Sequence, residues 1–123
     1  MEFDRRSPIY QQIITYFKEQ IASGNYLPGS EVPSRRELAE QFKINPNTAQ
    51  RAYKEMEEQG LLYTEGNSPS RITEDRQQIK ELRMALVDGA LIELLSIAKQ
   101  LNLSVSDITE RLEEKYQEAD TNA

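Results

Sequence analysis

The stretch SRRELAEQFKINPNTAQRAYKEM, residues 34–56, decides the fold. It opens on Ser34-Arg35-Arg36-Glu37, a capping box in which the Ser34 hydroxyl and the Glu37 carboxylate satisfy each other's orphan backbone N–H groups. Leu38, Ala39 and Phe42 then supply a short apolar face, so a helix is predicted here. Lys43-Ile44 interrupts it, and Asn45-Pro46 reads as a fresh N-cap with proline at the first helical position, where its missing N–H costs nothing. The next helix continues through Thr48, Ala49, Ala52, Tyr53 and Met56 to Gly60, a natural terminator. Two short helices around a tight break, following a longer one, make a helix-turn-helix.

Upstream, Ser7-Pro8 reads as a cap followed by proline inside the first turn, and Ile9, Ile13, Phe17 and Ile21 recur at helical spacing, widened by Tyr10 and Ile14. Gly24 suits the end of that helix, and Leu27-Pro28-Gly29 a turn. Downstream, Leu61 to Thr64 is β-prone, Glu65 to Ser70 is loop-like and Arg71-Ile72-Thr73 returns as a strand, which predicts a small hairpin, or wing. From about Thr73 the texture changes. Ile79, Leu82, Leu86, Ala90, Leu94, Ile97 and Leu101 form one helical stripe, and Met84, Val87, Leu91, Leu95 and Ala98 a second beside it. Asn102-Leu103-Ser104 breaks this helix; Ser104 with Asp107 starts a last one carrying Val105, Ile108, Leu112 and Tyr116, expected to fray beyond Glu118. The expected fold class is mainly α: a winged helix-turn-helix domain over 1–73 with a small β wing, then a two-helix appendage over 74–123.

Composition narrows the function. The chain has 123 residues and neither Cys nor His, which removes disulfides, a thiol nucleophile, an imidazole base and the usual zinc ligands. No metal and no cofactor is expected. No apolar run approaches the ~18 residues of a membrane span, and Met1-Glu2-Phe3-Asp4-Arg5-Arg6 lacks the layout of a signal peptide, so a cytoplasmic protein is expected. The net charge of −6, taken alone, argues against nucleic acid. Its distribution argues otherwise. Arg35, Arg36, Lys43, Arg51 and Lys54 fall in one stretch whose acids are Glu37 and Glu40, whereas residues 77–123 hold 5 basic and 9 acidic side chains.

The helix after Asn45 is where residue choice outruns packing. Asn47, Thr48, Gln50 and Arg51 lie near its start, with Lys54 one turn further on. Asn and Gln pair bidentately with adenine, Arg with guanine, and Thr reaches a base edge or methyl. Ser34, Arg35 and Arg36 are placed to grip the backbone alongside. Any one of these is equally well read as a solvated polar position; the combination favours a recognition helix in a major groove. Tyr10, Tyr26, Tyr53 and Tyr63 read as core or boundary aromatics, not as a stacking platform for single strands.

Several stretches resemble the GntR superfamily of bacterial transcription regulators: Pro8-Ile9-Tyr10-Gln11-Gln12-Ile13, Leu27-Pro28-Gly29-Ser30, Pro33-Ser34-Arg35-Arg36-Glu37-Leu38-Ala39, Asn45-Pro46-Asn47-Thr48, Arg51-Ala52-Tyr53 and Glu57-Glu58-Gln59-Gly60-Leu61-Leu62. The resemblance runs in order over residues 8 to about 64, and the short C-terminal part resembles the YtrA subfamily. It implies a homodimeric winged-helix repressor on a palindromic double-stranded DNA operator, often of a transporter operon. It further implies DNA contact by Arg36, Pro46, Asn47, Thr48 and Gln50, with Arg35 and Arg51 near phosphates. The wing departs from the family's basic, glycine-containing turn: Glu65-Gly66-Asn67-Ser68-Pro69-Ser70-Arg71-Ile72 carries an acid where phosphate would lie. Weakened wing contact is expected, either with Arg71 replacing the missing base or with a wing that is short and disordered.

One long helix with two apolar stripes cannot bury both against the short segment that follows. One stripe is expected on residues 104–118 and the other on a second copy, with Leu82, Leu86, Gly89, Ala90 and Leu94 at the dimer interface. Gly89 costs about 1 kcal/mol relative to alanine in mid-helix, a cost that close approach of another backbone would explain. A small-molecule effector is left open, because nothing polar converges there. Two other classes compete with the DNA reading. A winged helix can instead serve as a protein–protein interaction module, but such a surface has no special need of the basic arc from Arg35 to Lys54. An enzyme is weaker still: Glu57-Glu58 and Glu113-Glu114 are neighbours on a helix, about 100° apart, and converge on nothing.

Overall fold

A computed structural model describes residues 1–121. Five helices and a two-stranded sheet follow in the order α1 (Ile9–Ala22), α2 (Arg35–Phe42), α3 (Pro46–Glu58), β1 (Leu62–Tyr63), β2 (Arg71–Ile72), α4 (Arg76–Gln100) and α5 (Val105–Thr121). They fall into two compact units, Met1–Met84 and Ala85–Ala123.

In the first unit the expected start and stop signals operate. The Ser34 Oγ accepts from the Glu37 N–H at 3.1 Å and Glu37 Oε1 accepts from the Ser34 N–H at 3.4 Å, completing the capping box of α2. Lys43 closes α2 in the left-handed region, at φ 55°, and Asn45 Oδ1 accepts from the Asn47 N–H at 2.8 Å to start α3 with Pro46 in its first turn. At the end of α3, the Leu61 N–H reaches the Met56 carbonyl and the Gly60 N–H that of Glu57, the paired bonds of a Schellman cap, with Gly60 at φ +79°. The start of α1 differs from expectation. Pro8 is itself the N-cap, its carbonyl accepting from Gln11 and Gln12, while Ser7 offers its backbone carbonyl to the Gln12 amide at 2.8 Å.

Two fully buried alanines, Ala49 and Ala52, let α3 pack closely into a core of Ile13, Phe17, Ile21, Leu38, Tyr53, Met56 and Ile72. The Phe17 and Tyr53 rings meet edge to face, 5.7 Å between centroids, and the Tyr53 hydroxyl donates to the Pro33 carbonyl at 2.6 Å. Burial raises the Tyr53 pKa well above the ordinary phenol value and pushes that of Tyr26 up to about 12. Tyr10 and Tyr63 are half-buried, in keeping with core and boundary roles.

The wing is a formed antiparallel pair, Leu62 opposite Ile72 and Tyr63 opposite Arg71. It gains a third rail that sequence reading missed: the Gly29 N–H bonds the Ile72 carbonyl, Ile72 N–H the Ser30 carbonyl, and Val32 N–H the Ser70 carbonyl.

The first compact unit extends past residue 73, where the expected boundary fell, to Met84. The Asp75 carboxylate caps α4 through the Gln77 and Gln78 N–H groups. Ile79 is buried in the core and Leu82 packs against it. Arg83 Nε donates to the Ala22 carbonyl at 3.1 Å and Gln78 Nε2 to that of Gln59 at 2.6 Å, so early α4 satisfies carbonyls at the ends of α1 and α3.

In the second unit, α4 ends through Asn102 in the left-handed region at φ 58°. Ser104 and Asp107 form the expected reciprocal cap of α5, at 3.0 and 3.1 Å. Helix α5 runs on to Thr121, beyond the expected fraying point; residues 122–123 lie outside the described part of the chain. The expected packing on residues 104–118 is slight. No residue of α5 is buried and Ile108 is half-buried, while Ala98 is buried on α4. Leu94, Leu103, Ile108 and Leu112 line an apolar groove edged by Asp107, Arg111 and Lys115.

Candidate nucleic-acid interface

The sequence of α3 sorts itself into two faces. Ala49, Ala52, Tyr53 and Met56 are buried, and the residues between them, Asn47, Gln50, Arg51 and Lys54, are exposed, with Pro46 exposed and Thr48 half-buried at the helix start. At 1.5 Å rise per residue the polar face from Asn47 to Lys54 is about 10 Å long, matching the reach of a helix laid in a major groove. Among the described residues the Asn47 and Gln50 side chains make no hydrogen bond, and Arg36, Lys43 and Lys54 have no carboxylate within ion-pair distance. Their donors and acceptors are free for a ligand. Arg36 is exposed in the first turn of α2, and the break at Lys43 to Asn45 joins α2 to the start of α3.

Arg51 is free at its outer face but not mobile in aim. Its guanidinium carbon lies 3.8 Å from the centroid of the Tyr10 ring, its Nη2 donates to the Tyr10 hydroxyl at 3.0 Å, and Nε is 3.8 Å from Glu55. The side chain remains 61 % exposed. Stacking on an aromatic face restricts a long cation before any ligand arrives. The pairing was not legible locally, because Tyr10 and Arg51 are 41 residues apart.

Three of the expected contact residues have other work. Arg35 donates from Nη2 to Glu57 Oε1 at 2.9 Å, lies over the Tyr53 ring at 5.2 Å and is only one-third exposed. Its Nε is buried without a partner. Arg71, expected to replace the missing wing base, turns the other way: Nη1 donates to the Gly29 carbonyl at 2.9 Å and Nη2 to Glu31 at 3.0 Å. Both terminal nitrogens thus fasten the third rail of the sheet. Ser34 commits one lone pair of its hydroxyl to the α2 cap, leaving the O–H and the second lone pair for an outside partner. The wing loop from Glu65 to Pro69 is exposed and closed by the Ser68 N–H on the Glu65 carbonyl, and Glu65 is its only charged residue.

Comparison with known proteins agrees with this geometry. Residues 9–72 match the family described as "Bacterial regulatory proteins, gntR family". The chain is 34% identical over 117 residues to the HTH-type transcriptional repressor YtrA of Bacillus subtilis, covering 93% of this chain and 90% of that one. Its structure is similar to that of a GntR family transcriptional regulator from Listeria monocytogenes, with a TM-score of 0.84, 33% identity and coverage of 91% and 98%. It is also similar to the DNA-binding domain of AraR in complex with operator ORR3, with a TM-score of 0.53, 26% identity and coverage of 59% and 88%. A formed wing, a two-faced α3 and a match spanning both place this chain in the gntR family of bacterial regulatory proteins, as a transcription regulator with a YtrA-like architecture.

Proposed function

We propose that the protein is a repressor that binds an inverted-repeat operator in double-stranded DNA as a homodimer and blocks a promoter by occupying it. The observation that carries this reading is the exposed polar face of α3, on which Asn47, Gln50 and Lys54 stand unpartnered among the described residues and Arg51 is aimed by Tyr10, on a helix whose other face is fully buried. Asn47 and Gln50 read base edges; Arg36, Arg51 and Lys54 supply the phosphate-directed charge. Thr48 and Pro46 pack against the groove wall at the helix start.

The dimer is supported by what the second unit leaves exposed. Leu86, Val87, Leu91, Leu94 and Leu95 are all solvent-facing on one helix, a patch that marks an interaction site in a soluble protein. Gly89 lies among them, and a Cβ added there meets nothing within 4 Å in its own chain. The chain's own packing therefore does not demand a glycine, which favours close approach of a second helix at this point. Leu82, expected at the same interface, already packs against the head core, so the dimer face is taken as Leu86, Gly89, Ala90 and Leu94. Two such heads present their recognition helices one DNA turn apart, about 34–36 Å, or a multiple of it.

The test is selection of bound fragments from a genomic pool of the source organism by the purified protein, followed by sequencing. An inverted repeat with half-sites spaced by whole helical turns is the expected product. Absence of enrichment at low salt, with dimer present, would sink the reading.

A further inference from the structure

Glu57 stands in the last turn of α3 and accepts two hydrogen bonds at Oε1, from Arg35 Nη2 at 2.9 Å and from the Thr64 hydroxyl at 3.0 Å. Thr64 Oγ1 is also 2.6 Å from Ser70 Oγ. The direction of that last bond follows from the proton count. A threonine hydroxyl has one proton to give, the carboxylate is the stronger acceptor, and so Ser70 donates to Thr64 and Thr64 donates to Glu57.

These four residues come from three places. Arg35 is the first residue of α2, Glu57 belongs to the end of α3, and Thr64 and Ser70 are the two sides of the wing's neck, with only Glu65 to Pro69 between them. Ser70 is buried, and its carbonyl accepts from the Val32 N–H at 2.9 Å. Arg35 is held over Tyr53, whose own hydroxyl is tied to Pro33. Its buried, unpartnered Nε is a cost that an apolar residue would avoid; the cation is retained for what Nη2 does at Glu57.

We propose that Arg35, Glu57, Thr64 and Ser70 form a relay that fixes the wing loop in register with the recognition helix, and that Arg35 is a positioning residue and not a phosphate ligand. A wing with no cation from Thr64 to Ser70 is not drawn to DNA by charge. It reaches a minor groove only if its neck is held in place, and the relay does this from the end of the same helix that reads the major groove. The second half of this statement rests on the DNA-binding reading above; the first half does not.

The test uses the full chain and two readouts. In the free protein, Thr64→Val and Glu57→Ala should speed amide hydrogen exchange at Ser68 and at Val32, whose N–H groups bond the Glu65 and Ser70 carbonyls, by about tenfold or more, with α1 amides unchanged. Wild-type rates in both variants would overturn the relay. On an operator selected by the wild-type protein, Thr64→Val and Arg35→Gln should keep the wild-type salt dependence and lose hydroxyl-radical protection in the minor groove beside each half-site. A fall of about 1 in the salt slope for Arg35→Gln, with Glu57→Ala unchanged, would make Arg35 a phosphate ligand and overturn its assignment. No minor-groove protection even by the wild type would overturn the wing's role. If the wild type selects no DNA at all, the repressor reading fails, and the exchange measurement still decides the relay.

Discussion

The two compact units solve opposite problems with similar material. In Met1–Met84 the apolar residues find one another within the chain: Ile13, Phe17, Ala49, Ala52, Tyr53, Met56 and Ile72 are fully buried. What that unit leaves exposed on α3 between Asn47 and Lys54 is polar and cationic. In Ala85–Ala123 the reverse holds: Ile92 is 69% and Tyr116 70% exposed, and apolar side chains line most of α4. The difference teaches that exposure has to be read against what each unit could have buried. Free polar groups on a closed domain ask for a polar ligand, and free apolar groups on a two-helix unit ask for more protein.

The comparison is broken most severely from inside the head. Phe17→Ala should cost about 3–5 kcal/mol, because the ring is fully buried against Tyr53 and Tyr26 and its removal leaves a cavity; chemical denaturation of the full chain measures it. A comparable loss on Leu91→Ala, in a chain shown by sedimentation to be monomeric, would contradict the exposure of the second unit.

The next effect is on assembly. Leu94→Asp places a charge in the proposed dimer face, and a like charge from each copy would be desolvated on association. Sedimentation velocity at micromolar concentration should show monomer where the wild type shows dimer, with the unfolding midpoint of the head unchanged. An unaltered dimer would move the interface elsewhere.

Sharpening the polar side comes third. Asn47→Ala or Gln50→Ala should relax discrimination at one operator position per half-site by about 1–3 kcal/mol, read as the affinity ratio between matched and mismatched sites. Arg36→Ala should weaken all sequences alike and lower the salt slope by about 1. Should Arg36→Ala change specificity and leave the slope alone, it reads bases and not backbone.

The smallest expected effect is on pH. Bonds from the Ser104 backbone and hydroxyl groups hold the Asp107 carboxyl below its ordinary value of 3.8. A lowered folded pKa means the cap contributes stability above 3.8 and loses it as pH falls through the folded value. Helix content of α5 should therefore drop on acidification below about pH 4 in wild type, by circular dichroism, and not in Asp107→Asn, whose amide does not titrate.

Much of this molecule was legible from local pattern. The capping box at Ser34 and Glu37, the Asn45-Pro46 start, Gly60 and the Ser104–Asp107 cap each act within a few residues, so their chemistry does not depend on the rest of the chain. The exposed polar face of α3 was equally accessible, because helical periodicity alone separates Asn47, Gln50 and Arg51 from Ala49, Ala52 and Tyr53. Less accessible were the residues whose role depends on a distant partner. Arg35 looked like a free cation in a basic stretch and Arg71 like a replacement base in the wing; their carboxylates, Glu57 and Glu31, are 22 and 40 residues away. The same holds for Tyr10 beneath Arg51 and for Gln78 and Arg83, which carry the head's boundary past Thr73.

By itself, then, the amino-acid sequence determined where helices begin and end, which stripe of each is apolar, and that the acidic chain carries a local basic surface. These are properties of neighbours at fixed spacing, set by backbone geometry and side-chain size. Only the tertiary structure decided which cations remain available, since the close approach of segments that the chain order keeps apart chooses an arginine's partner. A guanidinium held at 2.9–3.0 Å and partly buried, as in Arg35 and Arg71, has less left to offer a phosphate than the 61% exposed Arg51.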